Sequence, residues 1–127
     1  MNTNAAKVVE EFWRLMATND FDSVATVLSD DFVLEWPQSR ERIRGAAKFS
    51  QMNREFPANG PWRFEVNRIV GAHSEAVSDV SITDGVQFAR AISFFMVESG
   101  VITRLTEYWP EPYAAPHGRA HLVEIIG

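Results

Sequence analysis

The chain has 127 residues, of which 46% are hydrophobic and 12% aromatic, so it has room and apolar material for one buried core. Its formal net charge of −5, with Lys and Arg scattered along the sequence, argues against nucleic acid or an anionic membrane surface as a partner. The absence of cysteine excludes a disulfide framework, a thiolate nucleophile and a Cys-ligated metal.

No apolar run is long enough to cross a membrane, and the amino-terminal stretch is amphipathic where a secretory signal would be continuously apolar. We therefore expect a cytoplasmic protein that forms a single domain over residues 1–127 and has short tails.

The first part of the chain is predicted to be helical. Apolar residues recur at helical spacing over residues 4–18, and either Thr3 or Asn4 can cap the start. A second, shorter helix is predicted over residues 21–28. A third helix is predicted over residues 46–56 from its apolar spacing, and it ends there because the following proline disfavours continuation.

Alternating apolar residues predict the strands. A short strand over residues 32–36 ends at Pro37, and residues 38–44 are predicted to form a loop. The remaining strands are residues 62–69, 75–83, 86–98 and 101–109. A phase slip at Asn67 predicts a bulge, and Asp84-Gly85 predicts a hairpin turn. This order predicts an α+β fold with three helices on the concave side of a curved antiparallel sheet.

The strand over residues 86–98 has two different faces. One face carries Phe88, Arg90, Ile92, Phe94 and Met96, and the other carries Ala89, Ala91, Ser93, Phe95 and Val97. The small residues either leave room for a cavity or accommodate Trp13 or Trp36 across the core. The bulky face needs a cover, so we expect a homodimer that buries Ile92 and Phe94.

Two segments carry a family resemblance, namely NDFDSVATVLSDDFVLEWP at residues 19–37 and GVITRLTEYWPEP at residues 100–112. With the order of elements, they make the chain similar to the nuclear transport factor 2-like superfamily and to its SnoaL-like polyketide cyclase group. The resemblance implies a cone-shaped pocket between the helices and the sheet, in a homodimer formed through the outer sheet face. It does not fix an activity, because the superfamily includes isomerases, dehydratases, cyclases, epoxide hydrolases and noncatalytic binders.

The ketosteroid isomerases of this superfamily use a tyrosine on the first helix, an aspartate before the proline that ends the first strand, and a protonated aspartate on a later strand. The matching positions here hold Phe12, Trp36 and Ser93. The resemblance therefore implies that this chemistry is absent. The catalytic sets of limonene epoxide hydrolases and scytalone dehydratases have no match in the sequence either.

Glu107 is the candidate acid/base residue. The superfamily alignment implies that Leu105 faces the pocket, and strand alternation then places Glu107 and Trp109 on the same side. A carboxyl among aromatic side chains is poorly solvated, which raises its pKa toward the range useful for proton transfer. The alternative is a glutamate at the pocket rim that pairs with Arg119 or Arg104.

The other chemistry-bearing residues are predicted to be structural. Tyr108 faces away from the pocket on a regular strand, and Asp79 and Arg90 are placed for a cross-strand ion pair on the outer face. The histidines, His73, His117 and His121, lack a third ligand, so no metal is expected. No cofactor is expected either.

Two hypotheses remain open. In the first, a cofactor-free isomerase, cyclase or lyase acts on a small apolar, carbonyl-bearing molecule, and Glu107 moves a proton. In the second, the chain is a noncatalytic ligand-binding protein or a dimeric structural domain. The side chains expected at the ligand are Phe12, Trp13, Trp36, Ser93, Phe95, Leu105 and Trp109.

Overall fold

The computed structural model describes residues 4–127. The helices are α1 (Ala5–Ala17), a first 3₁₀ helix (Phe21–Val27), α2 (Ala46–Glu55) and a second 3₁₀ helix (His117–Arg119). The strands are β1 (Leu28–Trp36), β2 (Glu41–Arg44), β3 (Arg63–Ala72), β4 (Glu75–Thr83), β5 (Phe88–Glu98) and β6 (Val101–Tyr108). All six described strands form one sheet in the order β2-β1-β6-β5-β4-β3.

The predicted α+β cone is confirmed. Phe12 of α1, Val24 of the first 3₁₀ helix and Phe49 of α2 pack into one core with the concave face of the sheet. The predicted bulge in β3 is present, because the pairing with β4 shifts register between Val66 and Arg68. The strand order differs from the prediction, since β6 lies between β5 and β1 and runs parallel to β1.

Helix α1 begins at a side-chain cap and packs closely on the sheet. The side chain of Asn4 accepts a hydrogen bond from the backbone N–H of Lys7 at 3.4 Å. Thr3, the other predicted cap, lies outside the described residues. Helix α1 approaches β3 so closely that a Cβ atom at Gly71 would lie 2.9 Å from the Cβ of Ala6. Glycine at this position therefore allows the helix to contact the strand.

The predicted second helix and the start of β1 are wrong in detail. Residues 21–27 form a 3₁₀ helix, and β1 begins at Leu28, which pairs with Ile102 of β6. The register of this pairing shifts before Val33, and Asp30 and Asp31 are exposed there. The first part of β1 was not predicted because the two aspartates interrupt the apolar alternation where the pairing of β1 with β6 is irregular.

The predicted loop over residues 38–44 is also wrong, because its second half is strand β2. This strand pairs antiparallel with β1 from Trp36–Glu41 to Val33–Arg44. The turn before it is closed by the N–H of Arg40, which donates to the carbonyl of Trp36 at 2.8 Å. β2 lies at the sheet edge and contains one apolar residue, so it lacks the alternation that identifies a buried strand.

The two faces of β5 differ as their alternation predicts. Ala91, Ser93, Phe95 and Val97 are buried against the helices. On the other face, the exposed fractions of Phe94 and Met96 are 46% and 42%, so this surface is not covered by the chain's own helices. It forms the outer face of the cone.

Asp84 fixes the turn between β4 and β5. Its Oδ1 accepts from the backbone N–H groups of Val86 at 2.9 Å and Gln87 at 2.7 Å, and its Oδ2 accepts from the N–H of Asn59 at 2.7 Å. These hydrogen bonds hold the pKa of Asp84 well below its usual range. Because they engage Val86 and Gln87, β5 begins at Phe88 and not at the predicted residue 86.

The carboxyl-terminal tail is longer than expected. After β6 the chain is irregular apart from the second 3₁₀ helix, and residues 110–127 are exposed. Apolar side chains here remain in solvent, and Leu122 and Ile125 are 77% and 81% exposed. Among residues 4–127, no helix is both long enough and apolar enough to cross a membrane.

Candidate ligand cavity

A cavity of about 650 Å³ opens at one end of the cone. Its walls come from the ends of β1, β4 and β6, the starts of β3 and β5, and one side of α1 and α2. Nine of its twenty lining residues are aromatic. They include all four tryptophans of the chain, Trp13, Trp36, Trp62 and Trp109.

Side chains leave a cavity at this end of the cone and pack into a buried core at the other end. At the filled end, Phe95 and its β6 neighbour Leu105 are buried, and the ring of Phe12 lies 5.2 Å from that of Phe95. At the open end, β5 presents the small Ala89 to the cavity. Ala91, two residues further along, is packed in the core. One of these small residues of β5 thus lines the cavity, and the other lies in the core.

Glu107 lies in the cavity wall near the end of β6, with only 6% of its surface exposed. Its Oε2 accepts a hydrogen bond from the hydroxyl of Ser93 at 2.8 Å, and its Oε1 accepts from the indole N–H of Trp36 at 3.1 Å. The two donors lie on the strands that flank β6, so the sheet itself orients the carboxyl.

The alternative in which Glu107 pairs with an arginine is wrong. Arg104 instead binds Glu35, with Nη1 and Oε1 2.7 Å apart. Arg119 makes no salt bridge with any described residue, and Glu107 is absent from the ion pairs of residues 4–127. The carboxyl is therefore held by neutral donors alone.

Burial raises the pKa of Glu107, and the hydrogen bonds from Ser93 and Trp36 oppose this rise. The neutral form avoids the cost of a buried charge, while the ionised form has two donors already in place. The surroundings of Glu107 therefore support both protonation states of its carboxyl.

The remaining charged groups of the lining are acidic. Glu41 at the start of β2 and Glu111 after β6 are exposed at the cavity. None of the lining residues is a lysine, an arginine or a histidine. The cavity therefore offers carboxyl groups and no basic side chain.

The structure brings together five of the residues singled out from the sequence. The cavity is lined by Phe12, Trp13, Trp36, Glu107 and Trp109. The other three, Ser93, Phe95 and Leu105, are buried in the core and do not line it. Of these three, Ser93 still touches the site through its hydrogen bond to the carboxyl.

Part of the cavity lining was not predicted from the sequence. Trp62 and Phe64 line the cavity from the start of β3, and Met52 and Phe56 line it from the end of α2. The alternation of Trp62 with Phe64 carried a usable signal, because it places both side chains on one face of a strand. Helical spacing likewise places Met52 and Phe56 on one face of the helix, but it does not show that this face reaches the cavity.

The residues expected to be structural lie on the outer face of the sheet. Arg90 Nε donates to Asp79 Oδ1 at 2.7 Å, which confirms the predicted cross-strand ion pair. The ring of Tyr108 packs edge-on against Phe94, with ring centroids 6.0 Å apart. Within residues 4–127, no group of three or more His, Asp or Glu side chains is placed to hold a metal ion.

An α+β cone that encloses an aromatic cavity between its helices and its concave sheet defines a class of proteins by shape. Residues 9–105 match the SnoaL-like domain. The chain belongs to this family, and its fold is the nuclear transport factor 2-like fold. The resemblance noted in the sequence is confirmed.

Solved structures share this fold over most of their length. A candidate ketosteroid isomerase from Kribbella flavida DSM 17836 is 30% identical and superposes with a TM-score of 0.89, over 100% of this chain and 94% of that one. A nuclear transport factor 2-like protein of unknown function from Burkholderia xenovorans LB400 is 29% identical, with a TM-score of 0.78 over 95% of this chain and 94% of its own.

A more distant structural neighbour is a candidate polyketide cyclase from Xanthomonas campestris pv. campestris. It is 21% identical, with a TM-score of 0.61 over 82% of this chain and 88% of that chain, and so shows likeness of fold alone. A comparison with curated protein sequences gave no match.

Proposed function

We propose that this protein binds a small hydrophobic molecule in the aromatic cavity, and that Glu107 transfers a proton in a cofactor-free isomerisation, cyclisation or lyase reaction. The observation that carries the proposal is a buried carboxyl in the cavity wall, oriented by Ser93 and Trp36 and lacking a basic partner. The cavity volume of about 650 Å³ lies within the range of small-molecule sites, roughly 300 to 1,000 Å³.

The proposed chemical role follows from the two protonation states of Glu107. As a carboxylate it accepts a proton from a carbon next to a carbonyl group, while Ser93 and Trp36 stabilise the negative charge. As a neutral acid it returns that proton to another atom of the same molecule, or to a leaving hydroxyl. One residue therefore serves both half-reactions if the substrate atoms lie within hydrogen-bonding reach of its carboxyl.

The similarity to a candidate ketosteroid isomerase supports an isomerase-like reaction. The residues differ from those of the ketosteroid isomerases, because Phe12, Trp36 and Ser93 occupy the places of the tyrosine and the two aspartates. We propose that Glu107 replaces the general base from β6, and that Trp36 and Ser93 have become its hydrogen-bond donors.

The second candidate function is noncatalytic binding, and a specific observation favours it. Glu107 is the one buried ionisable group of the lining, since Glu41 and Glu111 are exposed. A cavity with a single buried acid has no second buried ionisable group to share the proton transfer. In this alternative, Glu107 serves only to recognise a polar group on the ligand.

We also propose that the protein is a cytoplasmic homodimer. Phe94 and Met96 are 46% and 42% exposed on the outer face of the sheet, where the Phe94 ring also contacts Tyr108. Apolar side chains grouped in this way are typical of a surface that a second subunit covers.

A ligand screen followed by turnover assays tests the proposal. All four tryptophans line the cavity, so bound ligands should change the intrinsic fluorescence and raise the melting temperature. Liquid chromatography with mass spectrometry of each bound compound after incubation then detects isomerisation by a change in retention time and loss of water by a change in mass. Ligands that bind and never change would support the noncatalytic alternative, and a library of apolar molecules that yields no ligand would contradict both functions.

A further inference from the structure

The charges of the cavity lining all have the same sign. Glu107 lies in the wall, Glu41 and Glu111 are exposed in the lining, and no basic side chain joins them. The nearby Arg42 and Arg104 are both paired with Glu35, at 2.6 Å and 2.7 Å. A ligand carboxylate or phosphate would therefore enter without a counter-ion and would face like charge, which is unfavourable at a poorly solvated site.

Several neutral donors of the lining are engaged within the protein. The amide nitrogen of Gln38 donates to the carbonyl of Trp109 at 3.3 Å, and that of Asn53 donates to the carbonyl of Phe49 at 2.8 Å. The indole N–H of Trp36 is used by Glu107. One N–H of each of these groups is therefore engaged within the protein, and none of the groups carries a positive charge.

Glu107 has the opposite property, because it retains free accepting capacity. Each of its oxygens accepts one hydrogen bond, from Ser93 or from Trp36. A carboxylate offers about four lone-pair sites, so roughly two remain for a ligand donor. The aromatic rings that surround the cavity add a second attraction, because the face of an indole or phenyl ring is electronegative and attracts cations.

We propose that the ligand of this cavity is an apolar amine in its protonated form, whose ammonium group donates a hydrogen bond to Glu107 while its apolar body contacts the tryptophans. The inference rests on the proposed binding role and names the class of ligand. It does not depend on whether the bound molecule is converted.

Three probes with one apolar body test the proposal. They are para-tert-butylbenzylamine, which is cationic, the corresponding neutral benzyl alcohol, and the anionic para-tert-butylbenzoate. Calorimetric titration of the full chain should show that the amine binds roughly tenfold tighter than the alcohol, and that the benzoate binds most weakly. Glu107→Gln should abolish the preference for the amine, while Glu98→Gln, at the far end of β5, should keep it.

The pH dependence gives a second readout that needs no variant. Binding of an ammonium group favours the ionised form of Glu107, so its proton leaves to solvent, and the affinity for the amine rises with pH across the range in which this carboxyl, whose pKa burial raises, becomes ionised. The groups around that carboxyl are Ser93 and Trp36, with Glu41 and Glu111 elsewhere in the lining. The affinity for the neutral alcohol should stay nearly constant over the same range.

The outcomes separate this inference from the proposed function. Equal or tighter binding of the alcohol or the benzoate would overturn the amine assignment and leave a hydrophobic binding site in place. A flat pH profile for the amine would overturn it as well. If none of the three probes bound, both the assignment and the proposed binding role would fail.

Discussion

The hydroxyl of Ser93 donates a hydrogen bond to Oε2 of Glu107 at 2.8 Å, and the two residues are register partners on β5 and β6. Ser93 is fully buried, so water does not compete for this bond. Because the bond stabilises the ionised carboxyl, it opposes the effect of burial on the pKa of Glu107. The hydrogen bond from Ser93 therefore keeps the pKa of Glu107 lower than burial alone would make it.

Replacing this donor should make Glu107 a weaker acid. In Ser93→Ala the carboxylate loses one of its two donors, so its pKa should rise above that of the unsubstituted protein. A carbon-13 NMR titration of labelled glutamate carboxyls measures this, with Glu107→Gln to assign the signal. Ser39→Ala is the matched control, since Ser39 also lines the cavity but has no bond to the carboxyl. An unchanged or lowered pKa in Ser93→Ala would contradict the role given to this bond.

The same carboxyl should make stability depend on pH. The pKa of Glu107 is raised on folding above its ordinary value of 4.5, so its protonated form stabilises the fold at low pH, and this contribution is lost as the pH rises through the folded pKa. Between pH 4.5 and the folded pKa, the contribution of Glu107 to the unfolding free energy should fall by up to about 1.4 kcal/mol per pH unit.

Urea denaturation at a series of pH values measures this effect. Glu107→Gln should remove the fall, whereas Glu111→Gln, an exposed residue of the same cavity, should retain it. Parallel pH profiles for the unsubstituted chain and Glu107→Gln would show that burial does not raise the pKa of this carboxyl.

The outer face of the sheet should mediate self-association. In Phe94→Glu a charge replaces a ring that is 46% exposed beside Tyr108, so an interface here should weaken by about 100-fold or more. Sedimentation velocity at micromolar concentration distinguishes dimer from monomer. Val86→Glu is the control, since Val86 is 67% exposed in the turn before β5 and should leave the dimer intact. A dimer that survives Phe94→Glu, or an unsubstituted chain that is monomeric, would contradict this interface.

Asp84 should be a structural residue of the cavity end. Asp84→Ala leaves the backbone N–H groups of Asn59, Val86 and Gln87 without their acceptor, so the melting temperature should fall by roughly 5 to 10 °C. Asp30→Ala, an exposed position in β1, should change it little. Because the pKa of Asp84 is lowered on folding, its contribution is present above the ordinary value of 3.8 and is lost as the pH falls through the folded pKa.

Calorimetry at pH 7 and at acidic pH checks both parts of this prediction. The stability advantage of the unsubstituted chain over Asp84→Ala should persist to acidity below the ordinary aspartate range. A variant as stable as the unsubstituted protein would show that other groups fix the turn.

Strand periodicity predicted the side of the sheet on which residues lie, but not their distance from the open end. Alternation placed Glu107 and Trp109 on the concave side, where both line the cavity. It placed Phe95 and Leu105 there as well, yet these two lie in the filled part of the cone. The difference depends on which helix side chains pack over each point of the sheet, which a local pattern does not contain.

The hydrogen-bond partners of Glu107 could not be predicted from the sequence for a related reason. Trp36 and Glu107 are far apart in the chain and meet because β1 and β6 are neighbours in the sheet. Strand alternation predicted a curved antiparallel sheet, so the parallel pairing of β1 with β6 was not expected. Strand β2 was not predicted either, because its residues at the sheet edge show no apolar alternation.

Turnover by Glu107→Gln on a substrate confirmed by the ligand screen tests the central proposal most directly. The substitution keeps the shape of the side chain and removes its titratable proton, so turnover should fall by about 10² to 10⁴-fold while the ligand still binds. Glu111→Gln should retain turnover, because Glu111 is exposed and no residue of the sheet donates a hydrogen bond to its carboxyl. Undiminished turnover by a folded Glu107→Gln variant would contradict the assignment of Glu107 as the group that transfers the proton.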